Sequence, residues 1–257
     1  MQSQELTILN TYDEALAGEL WLPLGQQKSK TLILAHAFSG DRHESGENFL
    51  FDFFRDRLLE EGIGVCQFDF SGCGKSEGNF RNTSITKRAQ DLAAVIETIR
   101  SRPDVRSDHV GVLGRSIGAL ATLARGAEGI KTLILLATFT HAFEVFQKLF
   151  QNEGTYNPDG ISTLKGGEKV LQVGPILWQD AEKYSFEQIV QSLYIPILFV
   201  QGAQDTLTPL SEVEPLYHQA NEPKALKIIP KAGHGFETEQ ARSNLIEIIL
   251  AWVGKYL

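Results

Sequence analysis

Short apolar runs, separated by segments of helical character, limit the fold of this chain more than any other feature. Three of the runs read TLILAH, TLILLA and IPILFV, with polar residues only at their ends. Such strands are typical of a parallel sheet that is covered by helices on both faces. Strands are predicted at residues 6–9, 17–22, 31–36, 64–70, 109–113, 131–137, 195–201 and 225–229.

Helical segments alternate with these strands. They are predicted at residues 48–61, 84–101, 117–126, 210–220 and 238–256. This alternation predicts an α/β fold with a mostly parallel, doubly wound sheet of eight strands. No helix separates the first two strands, so we expect them to form an antiparallel hairpin at one edge of the sheet.

One region breaks the alternation of strands and helices. More than 50 residues separate the strand that ends near Ala137 from the one that begins at Ile195. A structureless loop of that length is unusual in a compact domain. Within it, STLKGGEKVLQVG predicts a hairpin that turns at Gly166-Gly167, and DAEKYSFEQIVQSL predicts a helix. The predicted organisation is a core at 1–138 and 194–257 with an inserted cap at 139–193.

Composition argues against several classes of protein. The net charge of −8 disfavours a nucleic-acid partner, which calls for a basic face. No run of 18 apolar residues is present, so no membrane span is expected, and the opening MQSQELTILN lacks the features of a secretory signal. Cys66 and Cys73 have no metal-site spacing and are expected to be free thiols in a reducing cytoplasm.

The segment DFSGCGKSEG at residues 69–78 resembles a phosphate loop at first sight. The full pattern requires a glycine five positions before Gly74, where this chain has Asp69. A carboxylate there would repel phosphate, and no helix begins at Lys75. We therefore expect a turn that leaves a buried strand, and not a nucleotide site.

The sequence GRSIG at residues 114–118 is the clearest chemical signal. It follows the predicted strand HVGVL and opens a small-residue helix, which is the context of a nucleophile elbow. Gly114 and Gly118 remove side chains that would collide in so tight a turn. Ser116 is the predicted nucleophile, with the N–H groups of the helix beside it. The alternative is that Ser116 only caps a glycine-rich helix.

A serine nucleophile needs a base, and the base needs an acid to orient it. Asp205 follows the strand at 195–201 and His234 follows the strand at 225–229, so both are expected at the same sheet edge as Ser116. The order Ser, Asp, His is that of α/β hydrolases. Asp180 would be the alternative acid if the cap supplied one. The histidines that fit less well are His43, His109, His141 and His218, of which His109 is expected to begin a strand.

The oxyanion of an acyl-transfer reaction needs two N–H donors. We expect Ile117, after the nucleophile, and Phe38, in the loop HAFSG that follows the third predicted strand. His36, Arg115 and Tyr156 are the residues we expect near the substrate. The cap also contains aromatic residues that line a pocket or bury the cap against the sheet, and we expect burial for most of them: Phe143, Phe146, Phe150, Tyr156 and Trp178.

The elbow, acid, base, oxyanion loop and cap together resemble the α/β-hydrolase superfamily over nearly the whole chain. Many members carry Asp-x-x-Gly-x-Gly-x-Ser after the fourth strand, and residues 69–76 match it. The resemblance implies that this loop packs beside the catalytic end and binds no phosphate. The cap and the segment AHAFSGDRHE are most similar to bacterial cinnamoyl (feruloyl) esterases and related small acyl-ester hydrolases. The chain departs from them at Ala37, where they usually have glycine.

The resemblance implies a serine hydrolase that cleaves carboxylic esters of small or medium acyl or aromatic acids through an acyl-enzyme. It implies no metal and no organic cofactor. We expect a cytoplasmic monomer or homodimer that acts on a small-molecule ester. The alternatives are an acylglycerol lipase, a thioesterase, a serine peptidase of the same fold, or a hydrolase-fold protein that binds a ligand without turnover.

Overall fold

A computed structural model describes residues 2–166 and 169–257 of the protein. Its strands are β1 (Gln2–Leu9), β2 (Ala15–Leu22), β3 (Ser29–Ala35), β4 (Gly64–Phe68), β5 (Val105–Arg115), β6 (Thr132–Leu136), β7 (Gly154–Thr155), β8 (Ser162–Gly166), β9 (Lys169–Val173), β10 (Ile197–Gly202) and β11 (Lys224–Ile229). Its α-helices are α1 (Leu50–Glu60), α2 (Ile85–Arg100), α3 (Ile117–Arg125), α4 (Ala142–Glu153), α5 (Ile176–Ala181), α6 (Phe186–Gln191), α7 (Leu210–Gln219) and α8 (Glu239–Tyr256).

Eight of the strands form one sheet in the order β1-β2-β4-β3-β5-β6-β10-β11. β1 pairs antiparallel with β2, and β2 pairs antiparallel with β4. The pairs from β4 through β3, β5, β6 and β10 to β11 are all parallel. The predictions of a mostly parallel eight-stranded sheet and of an edge hairpin are therefore confirmed.

Helices cover both faces of the sheet, as the apolar strands predicted. Within β3, Leu32 and Leu34 belong to the core that packs against α1 and α8. Ile33 and Ala35 point the other way, into the core shared with α2, α3 and α7. Because successive side chains of a strand alternate between faces, a strand that is apolar throughout contributes to two cores at once.

Local capping chemistry explains where two of the helices begin. The Ser84 side chain accepts a hydrogen bond from the Lys87 N–H and starts α2, while Thr238 accepts from Ala241 N–H and starts α8. Both residues are therefore caps and not the first helical residues. β5 begins at Val105, so His109 lies inside the strand and the prediction that it begins the strand was wrong.

The described residues between β6 and β10 contain three helices and a small antiparallel sheet in the order β7-β8-β9. The predicted hairpin corresponds to β8 and β9, but Gly167 of its turn lies outside the described residues. The single helix predicted from residue 180 was wrong, because α5 ends at Ala181 and α6 begins at Phe186. The break coincides with contacts to the start of α2: Asp180 accepts from the N–H and hydroxyl of Thr86, at 2.7 Å each. The division into core and cap stays a prediction.

In the part of the chain that the structure describes, none of the helices has the combination of length and apolar character that crossing a membrane requires.

Candidate active site

Ser116 lies on a strained turn between β5 and α3. Its φ and ψ angles of 55° and −121° are unfavourable for a residue with a side chain, and its N–H donates to the Leu136 carbonyl at 2.9 Å. The flanking glycines make the turn sterically feasible. A Cβ on Gly114 would lie 2.6 Å from the Gly118 carbonyl oxygen, and one on Gly118 would lie 2.2 Å from the Ala35 carbonyl oxygen.

The structure brings the three predicted triad residues together at the carboxyl ends of their strands. Nε2 of His234 is 3.2 Å from Oγ of Ser116, and Nδ1 of His234 is 2.8 Å from Oδ2 of Asp205. The ionised carboxylate of Asp205 only accepts hydrogen bonds, so it favours the imidazole tautomer with its proton on Nδ1. Nε2 then carries the lone pair and faces the serine hydroxyl, as a general base requires.

The Asp205 carboxylate is buried and fully engaged in hydrogen bonds. Oδ1 accepts from the N–H groups of Leu207 and Thr208, and Oδ2 accepts from the Thr208 hydroxyl and the Gln201 amide. Burial alone would raise the pKa of Asp205, but the hydrogen bonds from His234 and Thr208 and the charge of His234 hold the pKa below its ordinary value. The carboxylate is thus ionised and fixed where it can orient the imidazole.

In the loop after β3, hydrogen bonds hold the two successive peptides on either side of Ala37. The N–H of Ala37 donates to Oε1 of Glu44 at 2.6 Å, and its carbonyl accepts from Nδ1 of His36 at 2.8 Å and from Arg88 at 3.4 Å. The N–H of Phe38 belongs to the same trans peptide as that carbonyl and therefore points the opposite way. Within the described residues, the N–H groups of Phe38 and Ile117 make no hydrogen bond. The role of these two N–H groups as oxyanion donors stays a prediction.

His36 is a buried structural residue, so its expected place in the substrate pocket was wrong. Its side chain has no solvent exposure, and Nε2 accepts the N–H of Phe70 at 3.1 Å while Nδ1 donates to the Ala37 carbonyl. Burial and the nearby Arg88 guanidinium lower the pKa of His36 to about 3. The neutral imidazole therefore ties the loop after β3 to the end of β4.

The glycine-rich segment after β4 wraps around a carboxylate. Asp69 accepts the N–H groups of Arg42 at 2.7 Å and of Lys75 at 2.9 Å. A Cβ on Gly74 would lie 2.2 Å from the Asp69 carboxyl carbon, so this glycine allows the chain to pass over the acid. A phosphate loop would have a glycine at position 69, where this chain has Asp69. The Asp69 carboxylate holds the segment together, so the segment is a structural turn.

A cavity of about 850 Å³ opens at Ser116 and His234. Arg115 lines it, and so do Phe146 and Phe139 on its apolar side. The expected place of Arg115 near the substrate stays a prediction. Tyr156 does not line it: its ring packs edge-on against Trp178 with 4.9 Å between ring centroids, so the expected substrate contact was wrong. Phe143 and Phe150 also pack against Trp178, which agrees with the expectation that most of these aromatics bury the cap.

Three glutamates at the cavity have roles that were not predicted from the sequence. Glu44 and Glu47 both pair with the Arg115 guanidinium, at 2.8 and 3.0 Å. Glu237 accepts the N–H groups of Gly233 and Gly235, on either side of His234. They follow no motif along the chain, and only the fold brings them to one place.

The alternative acid and the remaining histidines lie elsewhere. Asp180 binds Thr86, as described above. His43 pairs with Asp52 at 2.9 Å, and His141 with Glu212 at 3.2 Å.

A second hollow, between β11 and α8, contains none of the predicted site residues. Over residues 2–166 and 169–257, no group of three or more His, Cys, Asp or Glu side chains is arranged to hold a metal ion.

Known proteins with similar sequences point to hydrolases and to proteins of unassigned function. Residues 43–154, which contain Ser116 but not Asp205 or His234, match the model of the serine aminopeptidase S33 family. The uncharacterized protein YfhR of Escherichia coli O157:H7 is 30% identical over 182 residues, which are 69% of this chain and 55% of YfhR. The uncharacterized protein PA2218 of Pseudomonas aeruginosa is 24% identical over 71% of this chain and 47% of its own. The chain thus spans about half the length of these curated relatives.

Solved structures match the chain over its full length. The esterase domain of a Rhodothermus marinus protein has a TM-score of 0.77 and 20% identity, and covers 100% of this chain and 99% of that domain. Est1E of Butyrivibrio proteoclasticus, solved with ferulic acid bound, has a TM-score of 0.79 and 21% identity, covering 97% and 100%. The protein is therefore an α/β hydrolase in fold. Both of these structural neighbours are named as or within esterases, and at this level of identity the likeness concerns the fold.

Proposed function

We propose that the protein is a serine hydrolase that cleaves carboxylic esters of small or medium acyl or aromatic acids. The observation that carries the proposal is the continuous chain of contacts from Asp205 through His234 to Ser116 at the mouth of a cavity. Each side chain in this chain of contacts follows a different strand of the sheet. Such an arrangement of nucleophile, base and acid is the recurring basis of acyl transfer by serine.

The proposed reaction has two stages. Oγ of Ser116 attacks the ester carbonyl carbon while Nε2 of His234 takes the hydroxyl proton, and the negative charge moves to the carbonyl oxygen. The tetrahedral intermediate then expels the alcohol, which receives that proton from His234, and leaves an acyl-serine ester. Water, deprotonated by His234, attacks the acyl carbon, and the acid is released as Ser116 regains its proton.

The negative oxygen of each tetrahedral intermediate is assigned to the N–H groups of Phe38 and Ile117. Two observations support this assignment. Both groups lack a hydrogen-bond partner among the described residues, and Ile117 is the first residue of α3, where the helix dipole favours negative charge. His36 and Arg88 hold the carbonyl of the Ala37–Phe38 peptide and so orient its Phe38 N–H before substrate arrives, as electrostatic preorganisation requires.

The proposed substrate class rests on the cavity and on one structural neighbour. The cavity is apolar where Phe139, Phe146 and Leu149 line it, so an aliphatic or aromatic acyl group would be buried there. Est1E, a neighbour of this fold, has been solved with ferulic acid bound. Esters of hydroxycinnamic acids are therefore worth testing beside simple acyl esters.

Turnover of a graded ester series tests the proposal. Hydrolysis of p-nitrophenyl esters from acetate to long acyl chains, and of methyl ferulate, would be measured for the wild type and for Ser116→Ala. We expect the wild type to prefer short or medium chains and Ser116→Ala to lose activity by about 10⁴-fold or more, because the nucleophile is gone. Equal activity in both proteins would contradict the role of Ser116.

A second candidate, a serine peptidase, is favoured by the family model that matches residues 43–154. An aminoacyl p-nitroanilide separates the two: turnover of the anilide at a kcat/KM above that of the best ester would move the assignment to the peptidase. Acyl-CoA and monoacylglycerol substrates test the thioesterase and lipase alternatives in the same assay.

We further propose that the protein acts in the cytoplasm, as a monomer or homodimer. Cys66 and Cys73 support the cytoplasmic location, because both are buried free thiols rather than partners in a disulfide. Light scattering coupled to gel filtration decides between monomer and dimer.

A further inference from the structure

A buried ion pair connects the loop after β3 to the nucleophile elbow. Glu44 is 1% exposed and adopts a left-handed backbone conformation with φ of 51°. Its Oε1 accepts the Ala37 N–H at 2.6 Å, and its Oε2 accepts from Nη1 of Arg115 at 2.8 Å. One carboxylate thus contacts both the His36–Ala37 peptide, which directly precedes the peptide that carries the Phe38 N–H, and the residue before Ser116.

Arg115 extends the connection to the loop that carries the base. Its Nη2 donates to Oε1 of Glu47 at 3.0 Å and contacts the carbonyl oxygen of His234 at 3.4 Å. Burial alone would lower the pKa of Arg115, but the carboxylates of Glu44 and Glu47 raise it. A charged guanidinium at 2% exposure therefore lies where the three loops of the site meet.

The other contacts of Ala37 show what Glu44 contributes. His36 and Arg88 hold the Ala37 carbonyl from the buried side, and Glu44 is the hydrogen-bond partner of the Ala37 N–H. The loop also has little room to shift toward the acid, since a Cβ on Gly40 would lie 2.9 Å from Oε2 of Glu44. Among the described residues the Phe38 N–H has no such partner, so its direction depends on the Ala37 carbonyl of its own peptide and on the peptide before it.

We propose that Glu44 and Arg115 are positioning residues for the oxyanion site, an inference that rests on the serine-hydrolase function proposed above. The Glu44 carboxylate fixes the position of the loop after β3 relative to the elbow. The N–H groups of Phe38 and Ile117 therefore converge on the same oxygen. Neither side chain is assigned a proton transfer or a bond to substrate.

A purely stabilising role is the rival explanation, and the net effect of a buried ion pair on stability is often small or unfavourable. The two roles differ in what they change. A positioning role lowers the rate per correctly folded active site and weakens binding of an oxyanion mimic. A stabilising role lowers the melting temperature and the folded fraction, and leaves the rate per active site unchanged.

Glu44→Gln is the sharpest variant, because it keeps the shape of the side chain and removes the charge. Active sites would be counted by fluorophosphonate titration, and p-nitrophenyl butyrate hydrolysis would be expressed per titrated site. We expect kcat to fall by about 10²-fold with KM changed less than about threefold, the pattern of a weakened oxyanion site. Affinity for a trifluoromethyl ketone, which binds serine as a hemiketal oxyanion, is expected to fall by a similar factor.

Arg115→Met and the double variant provide the second line of evidence. If the two side chains act through each other, the double variant loses no more activity than the worse single variant. Losses that multiply would contradict the inference.

Glu14→Gln is the matched control: its carboxylate pairs with Lys87 at 2.6 Å and does not line the cavity. It is expected to alter the melting temperature and not kcat.

The possible results separate the two proposals. Full kcat per titrated site in Glu44→Gln, with unchanged ketone affinity, would overturn the positioning role and leave the hydrolase proposal in place. A wild type that is folded but neither hydrolyses the ester nor reacts with fluorophosphonate would overturn both.

Discussion

At the scale of single residues, the site depends on buried polar groups whose protonation state is set by their surroundings. Asp205 is kept ionised by the donors around it, and His36 is kept neutral by burial beside Arg88. The two groups have opposite tasks. The Asp205 carboxylate must accept a hydrogen bond from Nδ1 of His234. The Nε2 atom of His36 must stay unprotonated so that it can accept a hydrogen bond from the Phe70 N–H.

The pH dependence of stability tests the state of His36. Its pKa of about 3 in the folded protein is below the ordinary value near 6.5, so the unfolded chain binds the additional proton as pH falls. The contribution of neutral His36 to the free energy of unfolding is complete above about pH 6.5. It is lost as the pH falls from about 6.5 to about 3, at up to about 1.4 kcal/mol per pH unit. His36→Asn is expected to remove this part of the slope in urea unfolding measured from pH 7 to pH 4.

The matched control for that experiment is His218→Asn, which changes an exposed histidine on α7. We expect it to leave the slope unchanged. A wild-type slope that His36→Asn does not reduce would contradict a buried neutral His36.

At the scale of elements, the sequence was informative wherever structure is set locally. The apolar runs and the GRSIG elbow each depend on a few neighbouring residues, and the strands and helices that they predict are present. The caps at Ser84 and Thr238 moved two predicted helix starts by one residue each. The helix predicted from residue 180 failed because its break is made by contacts with α2, about 95 residues earlier in the chain. Glu44 escaped notice for a similar reason, since Arg115 is 71 residues away.

A glycine-to-alanine change is expected to have opposite effects on stability at the elbow and in α8. At Gly118, the added methyl group would lie 2.2 and 2.6 Å from the carbonyl oxygens of Ala35 and His36, so Gly118→Ala should lower the unfolding free energy by about 3 kcal/mol or more. At Gly254, in α8, no atom beyond the neighbouring residues and the helix's own backbone lies within 4 Å of the added carbon. Gly254→Ala should raise the unfolding free energy by about 0.5–1 kcal/mol, because alanine favours the helix.

Equilibrium unfolding in urea measures both variants in the same way. Equal and small effects at the two positions would contradict the close packing of α3 against the end of β3.

At the scale of the whole molecule, the order of the strands creates the site. β3, β5, β10 and β11 run parallel, so the loops at their carboxyl ends bring together Phe38, Ser116, Asp205 and His234. That convergence was predictable, because it follows from strand direction alone. The shape of the cavity was not, because it depends on how the residues between β6 and β10 fold: Phe146 lines it, whereas Tyr156 packs against Trp178.

The most direct test of the central claim is to locate the covalent adduct after reaction of the folded protein with a fluorophosphonate. The site predicts one phosphonyl group per chain, found by peptide mass spectrometry on Ser116 and absent in Ser116→Ala, because His234 activates this hydroxyl alone. An adduct on another residue, or no adduct in the folded wild type, would contradict the claim that Ser116, His234 and Asp205 form a working catalytic triad.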